Sequence, residues 1–520
     1  MKIKTLELEN FRSYKNLTTI EFENLTTIIG KNDIGKSTIL EALDIFFNDK
    51  NALSKYDTSD INITASSSKI AEATIAIEFT DLPKEIILDE SVTTTLAEEF
   101  LLTENKTLKI IKKFPASGSY KTYLVAQHPS HENCNNLHSK KNKDLKAIVD
   151  KYNIQDVNKT INTSLRKSIW NYFKHNSEDG LNLNLQQIDI SKGDTESTSI
   201  KSIYSKINSL FPVYFLFQAD RKNEDTDEEV QDPLKHATAE ILATPEIKEK
   251  LDEISVEVNK KLQEVADNTL VKVKEMDQTL FNTLDPKIPD SSQLKWSDVF
   301  KKVSITGDNN IPLNKRGSGV KRLILLNFFR AEAERKSKSN NDTSNVIYAI
   351  EEPETSLHSD MQVMLIQSLI NLSALNNTQL ILTTHSSNVV KQLGFNQLRL
   401  VVQDKIGNKS VNSVQQDVVP FPSLNEVNYI AFDDITEEYH NELFGVIDEN
   451  QLIEDYRPGR TQREYKRIKP DGTTKIERIE LTTYIRHLIH HPENTLNDRY
   501  TKIELAESIR DMRIFLKSCQ

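Results

Sequence analysis

Residues 25–47 read LTTIIGKNDIGKSTILEALDIFF, and no other stretch restricts the fold as tightly. Gly30 to Ser37 form a complete GxxxxGK(S/T) pattern. A β-rich run, Leu25–Ile29, leads into it, and Ile39, Leu40, Leu43, Phe46 and Phe47 follow at helical spacing. Strand, glycine loop and helix in that order aim backbone N–H groups and a helix N-terminus at phosphate. Gly30 and Gly35 permit the loop's backbone and the close approach of a ligand. Lys36 is expected to reach the β and γ phosphates and Ser37 to ligate Mg2+, with Asn32 and Thr38 in the same cradle.

A second strand is expected in NVIYAIEEPETSLH. Val346–Ile350 is continuously apolar, as in a strand buried on both faces of a parallel sheet. It ends in Glu351-Glu352, at the carboxyl edge where ligands collect in such sheets. Adjacent carboxylates there have separate tasks: Glu351 can hold the Mg2+ shell, and Glu352 can orient and activate water against a γ phosphate. Asp is the usual residue at the first position, so Glu351 is a longer variant. A third apolar run, QLILTTHSSNVV, leads to His385. Taken alone, a histidine after a strand is more often structural than catalytic.

The order of these features decides the matter. A P-loop, a long interval, LNKRGSGVKRLILL, the Glu-Glu strand and a strand ending in Thr-His-Ser together resemble the ABC-type ATPases. The opening LELENFRSY…EF hairpin resembles the RecF, SMC and OLD branch of that superfamily. The resemblance implies an α/β fold: an ABC-type P-loop ATPase head, its mixed sheet flanked by helices, with a helical or coiled-coil insertion and a mainly helical C-terminal domain. It implies ATP and Mg2+ as ligands. It also makes Gly317-Ser318-Gly319 the signature loop, so that Ser318 and Gly319 complete the ATP site of a second subunit in a head-to-head dimer. His385 becomes the switch histidine that contacts the γ phosphate. A serine hydroxyl and N–H groups at a helix start suit such an anion site. The loop is not LSGGQ, and Gln218, after PVYFLF, is the candidate for the Q-loop glutamine.

Bulk properties bound the rest. The formal net charge of −11 excludes a protein that coats a polyanion with its whole surface, so DNA or RNA must meet a local basic patch or a partner. Cys134 and Cys519 are too few for a disulfide framework or a thiolate metal site. No apolar run approaches the roughly 18–20 residues that span a bilayer. The start, MKIKTLELENFRSY, alternates like a strand and lacks a signal peptide's apolar core, so a cytoplasmic protein is expected.

Four regions are expected: 1–125, the first part of the ATPase lobe; 126–300, an insertion with a helical arm, from which a strand near 211–219 returns to the head; 301–415, the second part of the lobe; and 416–520, the C-terminal domain. Segments 71–83 and 107–114 read as strands, and 128–150 as polar loop. His128, His131, Cys134 and His138 lack the paired spacing of a zinc site. From 245 to 284, Ile247, Leu251, Ile254, Val258, Leu262 and Val265 step by three or four, as on an amphipathic helix or short coiled coil.

Beyond LRLVVQDKIGNKSVNSV, which reads as a closing hairpin, the strand-end glutamate and DxD of a Toprim nuclease are not found. Arg457, Arg460, Arg463, Lys466, Arg467 and Lys469 instead cluster before a Pro-Asp-Gly turn, as a solvated hairpin or a nucleic-acid contact. In TTYIRHLIHHPEN, helical spacing pairs Arg486 with His490 and His487 with His491, and Pro492 ends the helix. Three readings stay open there: zinc held by His487 and His491; a resemblance to HEPN ribonucleases, implying Arg486 at the phosphate and His491 as acid or base; and a purely structural role. The tail as a whole resembles the ATPase subunits of Septu-type and retron-linked anti-phage systems, which implies control of a partner HNH nuclease. An RNase in cis and a RecF-like DNA-repair ATPase are the alternatives.

Overall fold

The computed structural model describes residues 1–218 and 345–519, with breaks of which 64–71 and 191–199 are the longest, and scattered positions between 242 and 260. Two compact units divide the chain: Met1–Gln218 with Ala333–Glu354 and His358–Gln520, and Ala219–Glu332 with Thr355–Leu357. The first holds all the elements that follow. The signature candidates Ser318 and Gly319, and most of the expected helical arm, lie outside the described residues.

In chain order the ATPase part begins with β1 (Lys2–Glu9), β2 (Thr18–Glu21), β3 (Leu25–Ile29) and α1 (Lys36–Asn48). There follow β4 (Glu72–Thr80), a small hairpin of β5 (Ile86–Asp89) and β6 (Val92–Thr94), β7 (Leu108–Pro115) and β8 (Lys121–Pro129). Helices α2 (Asn142–Lys151) and α3 (Asn162–Asn176) lead to β9 (Leu183–Asp189), α4 (Ile200–Asn208) and β10 (Val213–Phe217). Later come β11 (Val346–Glu351), α5 (Ser359–Ser373), β12 (Thr378–Thr384), α6 (Ser387–Val390), β13 (Leu398–Gln403) and β14 (Lys409–Ser413).

Among the described residues, these strands other than the β5–β6 hairpin make two six-stranded sheets. One, β2-β1-β4-β7-β8-β9, is antiparallel. The other, β10-β11-β12-β3-β13-β14, is parallel except for its last edge strand. The strands sort by burial as strand physics requires: every residue of β3 and β12 is buried, whereas β1 alternates. At residue 126, where the insertion is expected to start, the chain is in β8, and β9 pairs with β8 in the same sheet. Residues 142–151, read as loop, form α2, whose Leu145 and Val149 pack on Leu165, Ile169 and Trp170 of α3.

α1 is buried along most of its length. Ile39, Leu40, Leu43 and Phe46 share one core with Ile75, Ile77 and Phe79 of β4 and with Ile347 and Ala349 of β11. A buried side chain also joins the sheets. Gln379 of β12, almost fully buried, accepts the Ile3 N–H at 2.9 Å and donates to the Ile3 carbonyl at 2.8 Å and the Glu23 carbonyl at 3.1 Å.

The C-terminal part contains α7 (Leu424–Phe432), α8 (Glu437–Glu449), the short α9 (Ile453–Tyr456), an antiparallel hairpin of β15 (Gln462–Ile468) and β16 (Thr474–Glu480), α10 (Leu481–His490) and α11 (Lys502–Cys519). Tyr439, Leu443 and Ile447 of α8 pack with Ile485 of α10 and Ile509, Met512 and Leu516 of α11. Arg513 of α11 binds Asp417 and Glu426 as well as the Tyr439 hydroxyl.

Gln379→Leu strands the Ile3 amide and two carbonyls in a dry interface. It is expected to destabilise the fold by about 3 kcal/mol, at about 1–3 kcal/mol for each unpaired buried group. Chemical denaturation followed by tryptophan fluorescence measures the loss; an unchanged midpoint contradicts the bridging role.

Candidate functional site

Three neighbouring parallel strands end level with one another. Glu351 of β11 lies opposite Thr383, and Thr384 of β12 lies opposite Ile29 of β3. The loop after β3, the Glu-Glu pair after β11 and the histidine after β12 therefore open onto one edge.

The loop uses its two glycines differently. Gly30 has φ 148° and Gly35 φ 99°, both in the region that favours glycine. A Cβ on Gly30 would stand 3.1 Å from the Val401 carbonyl; one on Gly35 would stand 3.0 Å from Ser13 Oγ. Two hairpins brace the loop from below. The Tyr14 hydroxyl donates to the Gly35 carbonyl at 3.0 Å, and Lys409 Nζ donates to the Asp33 carbonyl at 3.2 Å. α1 starts at Gly35 without a side-chain cap, so its first-turn N–H groups are available to an anion. Asn32 is exposed on the loop, and Thr38 is half-buried in the first turn of α1.

Lys36 Nζ donates to the carbonyls of Gly30 and Lys31, both at 2.9 Å. Burial lowers its pKa, while Glu352, Glu354, Glu351 and Asp33 pull it back up. The Ser37 hydroxyl donates to Glu351 Oε1. A hydroxyl and a carboxylate in contact are hard oxygen donors, the set Mg2+ takes when phosphate oxygens and water complete its shell. Among the described residues no group of three or more His, Cys, Asp or Glu is arranged to hold a metal.

Glu352 has φ 42°, uncommon for a residue with a side chain. Its N–H donates to the Thr383 carbonyl at 3.0 Å, which ties this turn to β12. His385 Nδ1 lies 3.0 Å from Glu352 Oε1 and 3.8 Å from Glu354 Oε1. Gln218, just past β10, donates to Glu41 of α1 at 3.3 Å, and Glu41 also binds Arg12. The Q-loop candidate thus contacts the helix behind the loop.

Sequence reasoning missed Tyr14, Lys409 and Glu354. The first two are recognisable only in three dimensions. Glu354 had a signal in EEPE, a third acid at the same strand end. Two further contacts went unforeseen: Lys31 of the loop pairs with Asp433 at the end of α7, and Asn428 of α7 donates to the Ser387 carbonyl at 3.3 Å, two residues past His385.

The other singled-out clusters are differently employed. His138 binds Glu99 at 3.0 Å beside Arg166, His128 Nδ1 lies 3.0 Å from the Phe100 carbonyl, and Trp170 donates to the Cys134 carbonyl. His131 stacks near Phe173. In the basic hairpin, Arg457, Arg460, Arg463 and Arg467 face Glu480, Asp511, Glu504 and Glu477 within 3.2, 3.5, 2.9 and 3.5 Å, which neutralises most of the patch. Arg486 lies over the Phe444 ring at 4.0 Å, His487 beside Tyr465, and His491 is exposed against Glu493 at 3.2 Å.

Residues 1–390 match the family of AAA ATPase domains named AAA_15. The chain belongs to that family. This ATPase is 24% identical over 417 residues to the endonuclease GajA of Bacillus cereus (strain HuB5-5), an alignment that takes in 75% of the chain and 56% of the relative. GajA of strain VD045 is 22% identical over 404 residues, covering 76% and 57%. The ATPase therefore spans somewhat over half the length of these curated relatives. Similar solved structures include an SMC head bound to the C-winged helix domain of ScpA (16% identity, TM-score 0.37, 80% of this chain and 98% of that one). Another is the SMC head domain from Thermotoga maritima (13%, 0.32, 80% and 100%).

Gly35→Ala forces a side chain into a left-handed turn against Ser13 and is expected to weaken binding of a fluorescent ATP analogue more than about tenfold. Acid sensitivity follows from two buried histidines. Burial, helped by His138, lowers His128 to about 4; burial, helped by Arg486, lowers His440 to about 3. Unfolded histidine titrates near 6.5, so the unfolded chain binds the extra protons first. Their stabilisation is full above about pH 6.5 and is lost as pH falls toward 4 and below. The melting temperature should fall from pH 7 to 4, and less steeply for His128→Phe and His440→Phe.

Proposed function

We propose that this ATPase is the nucleotide-switched subunit of a bacterial anti-phage defence system, in which ATP pairs two heads and the paired state controls a separate HNH-type nuclease. The observation that carries the hydrolytic half is the convergence of Ser37 on Glu351 and of His385 on Glu352 at the level ends of three adjacent strands. In this reading Gly30, Asn32, Gly35, Lys36, Ser37 and Thr38 bind the triphosphate. Ser37 and Glu351 would hold Mg2+, which supplies charge neutralisation at the phosphates. Glu352 orients the attacking water and takes up its proton, and His385 keeps the Glu352 carboxylate aimed while facing the γ phosphate. Ser318 and Gly319 of a second copy complete the cradle.

The defence assignment rests on the resemblance of residues 416–520, and relatives named as endonucleases support a nuclease alongside the ATPase. Cutting by a partner is favoured over cutting in cis by the tail, since Arg486 and His491 engage different neighbours and most of the hairpin's cations are already paired.

Glu352→Gln should retain ATP, lose turnover at least about a hundredfold and accumulate as the larger assembly; Lys36→Ala should not bind nucleotide. Sedimentation with and without ATP checks this, and identical assemblies in both variants and wild type contradict the switch. Total RNA, tRNA and DNA incubated with the purified chain in EDTA should stay intact, and cleavage should need the HNH partner and Mg2+. Cleavage in EDTA that disappears in Arg486→Ala and His491→Ala would instead assign an RNase to the tail.

A further inference from the structure

Glu354 is the most deeply buried acid of the site, 3% exposed, and lies outside every role assigned above. Its Oε1 accepts from the Thr384 hydroxyl at 2.5 Å and from the His385 N–H at 3.4 Å. The same Thr384 hydroxyl accepts the Ser386 N–H at 3.0 Å, and Ser386 Oγ accepts the Val389 N–H that opens α6. One carboxyl group thus orders three consecutive residues at the end of β12, Thr384 to Ser386. On the other side, the Glu354 carbonyl accepts from Gln362 of α5, so the acid is held from behind. Among the described residues, Glu354 Oε2 is buried without a hydrogen-bond partner. Leaving such an atom dry is costly, and an apolar side chain would fill the space without that cost. A group kept at that cost beside His385 points to the site it serves.

We propose that Glu354 is a positioning residue of the hydrolytic site: it anchors the Thr384–Ser386 turn and thereby fixes His385 Nδ1 on Glu352. The inference rests on the reading of Glu352 and His385 as hydrolytic residues. Burial also raises the Glu354 carboxyl above its ordinary range, against the pull of Thr384 and His385, which agrees with an anchor more than with a second base competing for the imidazole. The water-activating carboxylate remains Glu352, and Glu354 acts only through the histidine.

Steady-state ATP hydrolysis by the full chain tests this with Glu354→Ala, Glu354→Gln, Thr384→Val, His385→Ala and the double variant Glu354→Ala/His385→Ala. Displacing a reacting group by about 1 Å costs about a hundredfold, so Glu354→Ala and Thr384→Val should lower kcat by about that factor, with KM within about threefold. Glu354→Gln keeps the acceptor and should stay within about fivefold of wild type. In the His385→Ala background, Glu354→Ala should cost less than about threefold, because the two residues act as one unit. Should Glu354→Ala lose its cooperative melt, Thr384→Val with and without His385→Ala makes the same cycle. Multiplying losses in the double variant, or unchanged turnover in Thr384→Val, overturns the role of Glu354. Unchanged turnover in His385→Ala overturns the hydrolytic reading of the histidine itself.

Discussion

The structure depends on one helix with two incompatible demands. α1 must be apolar enough to lie in a core shared by both sheets, yet its first turn must present bare N–H groups and a lysine. The sequence separates the two along the helix: Lys36, Ser37 and Thr38 at the start, then Ile39, Leu40, Ala42, Leu43, Ile45 and Phe46 inward. Burial of the far end sets the direction of the near end. An anion site of this kind gains nothing from propensity; it is held by packing that continues well beyond the ligand-facing turn.

Period and strand type made most of the head legible. The β-rich run at 25–29 and the continuously apolar run at 346–350 read as strands, and 72–80 and all but the last residue of 108–115 fall within the segments 71–83 and 107–114. Misplacement began where local pattern weakens. LNLQQID has both its leucines, Leu183 and Leu185, exposed, so β9 carries little burial signal and depends on its ladder with β8. Asn142–Lys151 is rich in Lys and Asp, and only two residues of α2 are buried. The strand-end acids were readable because motif spacing records which residues share an edge. Tyr14 and Lys409 were not: each reaches the loop through tertiary contact from a different hairpin.

Charge in the tail illustrates how composition misleads. Six cations in thirteen residues suggest an electropositive face, but carboxylates from β16 and α11 meet four of them across the fold. Such partly exposed pairs add about 0–1 kcal/mol each, so their main effect is on the field. The histidines near 487–491 behave likewise: an aromatic stack and a surface pair use two of them locally. What looks like a basic motif in one dimension is, in three, half of an internally balanced surface.

α7 touches the nucleotide loop at one end, through Asp433 and Lys31, and the segment after His385 along its side, through Asn428 and Ser387. Two parts of the ATP edge that are some 350 residues apart in the chain therefore share a single neighbour drawn from beyond residue 415. Truncation is consequently not a neutral way to isolate the head. A fragment ending at 415 would keep every motif, yet Lys31 and the Ser387 carbonyl would lose their partners on and at the end of α7.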